Sequence, residues 1–152
     1  MNEYTVAKTF RRLGLADLVM LVNTKNDADA LDFYQVDEDS ARLYLAGSDN
    51  FFFACVENDR IIAYACGYEL DRLDNAGNML YVHAVGVHAE YRRLGIGKQM
   101  MTEIKRWCKV SSIGKMFLST RKTNAAARAL YDSVGGRVLR GDDVTYFFNE
   151  LN

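Results

Sequence analysis

The stretch from Met79 to Met101, MLYVHAVGVHAEYRRLGIGKQMM, joins a strand to a helix through a turn of two arginines and two glycines, and it constrains the rest of the chain. Tyr81, His83, Val85 and Val87 alternate with Val82, Ala84 and Gly86, the period of two that a strand requires. Met100, Ile104, Trp107 and Cys108 then recur at i, i+4, i+7 and i+8, one face of a helix. Between them, Arg92, Arg93, Leu94, Gly95, Ile96, Gly97 and Lys98 occupy the mouth of that helix. A helix N-terminus presents unpaired N–H groups and the positive end of its dipole, so this turn suits an anion. Side chains at Gly95 and Gly97 would block a phosphate from those groups, which is a reason for glycine at both positions.

Two common phosphate loops fail here. A dinucleotide fingerprint needs a third glycine where Met100 stands, and a P-loop needs a glycine at Arg92 and a hydroxyl at Gln99. What fits is Arg92-x-x-Gly95-x-Gly97 after a strand ending Val85-x-Val87. This pattern resembles the coenzyme A pyrophosphate loop of the GNAT family of N-acetyltransferases. A plain strand–turn–helix connection with a solvated arginine pair is the competing reading.

Composition narrows the function classes. A chain of 152 residues without internal repeats reads as one domain, residues 1–152, with 49% apolar and 26% charged residues. Net charge is −1, so nucleic acid and membrane surfaces are not expected partners. The opening MNEYTVAKTF has an early acid and no apolar run, so no secretory leader and a cytoplasmic location are expected. Cys55, Cys66 and Cys108 read as reduced core residues, and no metal site is expected. Proline is absent, so turns must be set by Gly, Asn and Asp.

In chain order, a loose first strand is expected over Thr5–Leu13 and a helix over Leu15–Asn23. Six acids without a base fall between Asp27 and Asp39, and Asp37 is placed to cap a short helix ending at Gly47. FFFACV and RIIAYACGYEL, separated by Glu57-Asn58-Asp59, read as a β-hairpin. KMFLST reads as a further strand, Asn124 to Val134 as a helix, and GRVLRGDDVTYFFNEL as a hairpin turned at Gly141-Asp142-Asp143. The fold class is α/β, with crossover connections and parallel pairing in the second half.

That order is similar to the GNAT family's, and a second signature supports it: Asn124-x-x-Ala127-x-x-Leu130-Tyr131-x-x-x-Gly135. The resemblance covers the chain from about Phe51 onward well and the first 50 residues in outline. The GYELDRLDNAG segment and the Asp142-Asp143 ending most resemble the aminoglycoside 3-N-acetyltransferase branch. Ala84, however, sits where those enzymes carry an acid. The resemblance implies a mixed sheet with a splayed pair of central parallel strands and about four helices.

It also implies an acetyl-CoA-dependent N-acetyltransferase working by direct attack, without a metal. Main-chain groups of Val85, Gly86 and Val87 would meet the pantetheine arm, and Arg92 to Lys98 would cradle the pyrophosphate. Asn124 and Ala127 would lie along the coenzyme, and Tyr131 would protonate the departing sulfur. As plain structure, Asn124 would cap its helix and Tyr131 would be a core residue. An amine nucleophile needs a base. His83 is one candidate, because imidazole exchanges protons near neutral pH. Glu69, Asp142 and Asp143 compete for that role and for binding the acceptor.

The resemblance also implies acids on the acceptor side and Arg92, Arg93, Lys98, Lys105 and Arg106 on the coenzyme side, which would suit a phosphorylated donor and a cationic small-molecule amine. A protein N-terminus or lysine as acceptor is an alternative, and so is a module that binds acyl-CoA without turnover. A C-terminal edge strand would allow pairing across a homodimer.

Overall fold

The computed structural model describes residues 6–149, and its sheet runs β1-β2-β3-β4-β5 in chain order. These strands are β1 (Thr9–Arg12), β2 (Asn50–Glu57), β3 (Arg60–Leu70), β4 (Asn78–Val87) and β5 (Ile113–Leu118). Each neighbouring pair is antiparallel except β4 and β5, which are parallel. Helices α1 (Leu18–Asn23), α2 (Ala28–Leu31) and α3 (Glu38–Ala46) precede β2. Helix α4 (Ile96–Val110) crosses between β4 and β5, as a parallel pair demands, and α5 (Ala125–Ser133) follows β5.

The β2–β3 hairpin forms the centre. Both faces of these strands are buried, so their sequences are continuous apolar runs rather than alternations. Phe51, Phe53 and Cys55 meet Met100, Met101, Ile104 and Cys108 of α4 on one face. Phe52, Ala54, Val56 and Tyr64 meet Leu18, Leu21, Leu31 and Ala41 from α1, α2 and α3 on the other. Each large apolar side chain so buried contributes about 1.5–3 kcal/mol. The hairpin turns on Asn58 and Asp59, with φ of 51° and 56°, the left-handed pair that a tight two-residue connection needs.

Burial pushes the three cysteine thiols up, Cys55 and Cys108 to about 11 and Cys66 to about 12. They are therefore protonated, poor nucleophiles, and free rather than bridged. No helix among the described residues is long and apolar enough to cross a membrane.

Three sequence expectations change. The first strand is Thr9–Arg12 only; Thr5, where it was expected to begin, lies outside the described residues. The first helix begins as a 3-10 turn at Leu15–Asp17, because the Asp17 carboxylate accepts the Gly14 N–H at 2.9 Å and holds Arg11 at 2.7 Å. The acidic stretch carries a second 3-10 turn at Thr24–Asp27 and then α2, which ends on left-handed Asp32.

The expected C-terminal hairpin is the largest correction. Among described residues 136–149 there is no strand, and Val138, Leu139, Val144, Tyr146, Phe147 and Phe148 are exposed. A two-stranded hairpin is marginal in water unless one face is buried, and here these side chains have no face to bury against. The edge strand on which pairing across a dimer was to rest is therefore absent among the described residues. By contrast, α3 keeps its expected cap, with Asp37 accepting the Ser40 N–H at 2.9 Å, and Gly47 ends it.

Candidate active site

The parallel strands part company midway. Their last pair is Val82 with Leu118, and β4 runs on through His83, Ala84, Val85, Gly86 and Val87. The His88 N–H donates to the Ile62 carbonyl at 2.8 Å, toward β3. Backbone direction alternates along an antiparallel pair, so the N–H groups of Val87 and Val85 point away from β3, into the gap. Gly86 pairs with Tyr64, and a Cβ there would stand 2.5 Å from the Leu31 carbonyl oxygen and 2.4 Å from the Tyr64 ring. Close packing of α2 on the strand thus accounts for that glycine.

A β-bulge sits just before the gap. Cys66 pairs with Ala84 and Gly67 with Val82, which leaves His83 as the extra residue on β4. Gly67 is required, since a Cβ would stand 1.8 Å from the Tyr81 carbonyl oxygen. The Tyr44 hydroxyl, from α3, fixes the kink: it accepts the Gly67 N–H at 3.0 Å and lies 2.6 Å from the Phe51 and Gly67 carbonyls.

The bulge delivers an exposed imidazole between two phenols. The Tyr34 oxygen lies 3.1 Å from His83 Nε2 and the Tyr81 oxygen 3.2 Å from Nδ1. A neutral imidazole has one N–H and one lone pair, so one phenol donates to it and the other accepts.

On the other side of the gap lies the turn before α4. Gly95 is its N-cap at φ 78°, and a Cβ there would meet nothing within 4 Å. The space over it is open. The first bond of α4 runs from the Gln99 N–H to the Gly95 carbonyl at 3.0 Å, so the amides of Ile96, Gly97 and Lys98 are those a helix start leaves unpaired. Arg93, at φ 62°, and Leu94 extend this exposed turn.

Two residues of the turn also serve its packing. The Arg92 guanidinium donates to the Val87 carbonyl at 3.0 Å, tying the turn to the strand end. A Cβ at Gly97 would meet Leu130 of α5 at 3.3 Å, so that glycine also serves helix packing. Lys98 is exposed beside the open amides.

Helix α5 packs beside the start of α4, with Leu130 against Gly97. Asn124 caps it, its side-chain oxygen accepting the Ala127 N–H at 3.1 Å, while its amide NH2 stays available. Tyr131 packs partly against the α4-side core, and burial raises its phenol pKa, which keeps it protonated. The phenol therefore remains a proton donor at neutral pH.

Several of the other acids are engaged. Glu69 pairs with Arg12 at 3.2 Å, Asp27 with Arg60 at 2.7 Å and Glu38 with Arg42 at 3.0 Å, while Arg72 holds Asp74. The pairing of Glu69 opposes its use as a base. Asp142 and Asp143 are exposed in the segment without strands. His88 is buried beside Asp27 and Arg60. A recess of about 280 Å3 lined by Met20, Asn23, Thr24, Asn26, Asp27 and Arg60 contains none of the gap residues and is not this site. Sequence reasoning missed Tyr34 and Tyr44, whose roles depend on a bulge that no periodicity encodes.

A family model described as Acetyltransferase (GNAT) family matches residues 21–135. The N-alpha-acetyltransferase RimI of Mycobacterium tuberculosis (strain ATCC 25618 / H37Rv) is 32% identical over 92 residues, 60% of this chain and 54% of that protein. The match thus spans about half the length of that relative. The structure is similar to an aminoglycoside acetyltransferase from an uncultured soil metagenomic sample, in complex with sisomicin. That TM-score is 0.78 at 17% identity, covering 95% of this chain and 97% of that one. It is also similar to an aminoglycoside N-acetyltransferase in complex with CoA, with a TM-score of 0.73 at 13% identity over 99% of both chains.

Proposed function

Because the chain belongs to the acetyltransferase (GNAT) family, whose members use acetyl-CoA, we propose that it transfers acetyl directly to a primary amine of a small cationic, polyamine- or aminoglycoside-like acceptor. The observation that carries this reading is the gap past Val82. On this reading, open amides and the half-buried Tyr131 phenol serve the gap from the α4 and α5 side, and an imidazole between phenols stands on the other face. Such a passage lets a thioester reach an amine without either crossing the sheet.

Acetyl-CoA supplies the activated acyl group. The amides of Ile96, Gly97 and Lys98, with the charge of Lys98 and Arg93, hold its pyrophosphate at the helix start. Val85, Gly86 and Val87 line its pantetheine arm on the strand side, and Asn124 and Ala127 line it on the α5 side. An N–H of Val85 or Val87 facing the gap polarises the thioester carbonyl as charge develops.

His83 is the base. An ammonium passes a proton to the oxygen of whichever phenol donates to His83, while that phenol passes its own proton to the ring, leaving a neutral amine and an imidazolium. The amine nitrogen attacks the carbonyl carbon, the carbon–sulfur bond breaks as Tyr131 protonates the sulfur, and the nitrogen, positively charged after its attack, gives its surplus proton to the resulting Tyr131 phenolate. No cysteine takes part, because burial keeps all three thiols protonated.

A screen of amines with acetyl-CoA, following free thiol, tests the proposal. Acetylation of di- or polyamines is the expected result. No turnover with any amine or peptide would leave only a coenzyme-binding module. A second reading, a protein N-terminus as acceptor, is favoured by the resemblance to an N-alpha-acetyltransferase and by the exposed side of the gap at Tyr34 and His83. Peptides with free N-termini belong in the same screen, and their preference over polyamines would replace the first reading.

A further inference from the structure

The sheet face covered by α1, α2 and α3 is not covered to its end. Past Tyr44 it presents a row of rings across three strands. Tyr68 on β3 pairs with Tyr81 on β4, and Tyr81 pairs with Phe117 on β5. The Tyr81 and Phe117 rings stack at 5.1 Å and 19°. One bulge further along β4, the His83 ring lies 5.8 Å from Tyr81 and 6.5 Å from Tyr68 and from Tyr34. Tyr34 reaches over from the loop after α2. Tyr34, Tyr68 and Phe117 are 57%, 39% and 41% exposed, so this is an open aromatic wall rather than part of the core.

Its charge is as telling as its shape. Glu69, next to Tyr68, is held by Arg12, and Asp74 by Arg72, so these carboxylates are neutralised locally. What the wall offers a ligand is the negative faces of aromatic rings and the oxygens of phenols. Ring faces attract alkylammonium groups, most strongly where methylation spreads the charge and weakens its hydration. They have little to offer an anion.

We propose that Tyr68, Tyr81, Phe117 and Tyr34, grouped around the His83 base, form a cation subsite that binds an alkylammonium group of the acceptor through aromatic faces. This deepens the acceptor assignment above and rests on it. The subsite adjoins the base and the gap, so it holds either the reacting amine before it loses its proton or a second ammonium one short methylene chain away. The wall thus selects acceptors with alkylammonium groups over equally sized neutral ones.

Choline and its uncharged carbon isostere, 3,3-dimethylbutan-1-ol, separate this proposal from the transferase reading, since choline has no N–H to acetylate. Titrated into the full chain and followed by NMR of the tyrosine and histidine rings, choline is expected to bind at least about threefold tighter than the isostere. Tyr68→Leu and Phe117→Leu should each remove much of that preference, while Tyr68→Phe keeps it. Both positions are surface-exposed, so these variants are expected to fold, and circular dichroism checks it. Equal binding of the two probes, or an unchanged preference in both leucine variants, would overturn the subsite. If choline binds but no amine is acetylated, the subsite stands and the transferase reading falls; acetylation without choline preference gives the reverse.

Discussion

The β2–β3 hairpin and the far end of β4 lie in the same sheet and are finished differently. Along the hairpin, every residue from Phe51 to Val56 is buried, and Phe53 to Val56 are paired on both edges, with helices over both faces. Past Val82, β4 has a partner on one edge only, and His83 has none. The hairpin is stabilised by side chains fitted together. The end of β4 is held by a small number of fixed points: the Tyr44 hydroxyl at Gly67, the Arg92 guanidinium at Val87, and α2 packed on Gly86. The difference teaches that the chain leaves backbone groups open only where rigid neighbours hold them in place. That is the condition for a preorganised site.

The sharpest break of this comparison lies in the hairpin. Phe51, wholly buried against Phe53 and Trp107, should cost about 3–5 kcal/mol when replaced by alanine, read as a lowered denaturation midpoint. The molecules that remain folded should keep their rate, since Phe51 does not reach the gap. Tyr131→Phe should do the opposite: kcat falls roughly 100-fold, with stability and coenzyme affinity nearly unchanged. Its raised pKa sets the sign with pH. The wild-type phenol stays protonated through the neutral range, so a Tyr131-dependent loss of rate should appear only on the alkaline side. Wild-type turnover of the variant, with chemistry rate-limiting, would return Tyr131 to a packing role.

Tyr44→Phe joins the two regions. It removes the hydroxyl that serves Gly67 and leaves buried backbone groups unpaired, a loss of about 1–3 kcal/mol. If the bulge depends on that hydroxyl, the ring resonances of His83 should move as well, although Tyr44 does not touch it. Unmoved His83 signals in a destabilised variant would uncouple hairpin from site.

The smallest effect concerns Asp27, whose carboxyl the Arg60 guanidinium holds below its usual range. A depressed folded-state pKa contributes stability above the unfolded value, near 4, that is lost as pH falls through the folded one. Asp27→Asn should therefore lower stability at neutral pH by less than about 1 kcal/mol, because Arg60 is well exposed, and should flatten the acid limb. An unchanged acid limb would show that the pair adds nothing.

The hairpin was legible because long apolar runs and an Asn58-Asp59 turn leave little alternative. The start of α4 was legible through glycine and arginine spacing, and α5 through its Asn124 cap. The bulge was not. Register is a property of two strands together, and only the structure shows that Gly67 faces the Tyr81 carbonyl and frees His83. Tyr34 was invisible for a similar reason: it lies 49 positions from His83 in a loop with no pattern. The acids between Asp27 and Asp39 looked like one wall in sequence, but helix capping and arginine pairs consume several of them. The C-terminal segment alternates like a hairpin, yet alternation describes a strand only when something covers its apolar side.

The central claim is that the open amides before and at the start of α4 hold the coenzyme pyrophosphate. Backbone amide NMR during titration with coenzyme A and, separately, with pantetheine tests it most directly. Coenzyme A should shift the Gly95, Ile96, Gly97 and Lys98 amides strongly, and pantetheine, which lacks the pyrophosphate, should leave them in place while moving Val85 and Val87. Tight coenzyme A binding with the Gly95–Lys98 amides unmoved would contradict the account.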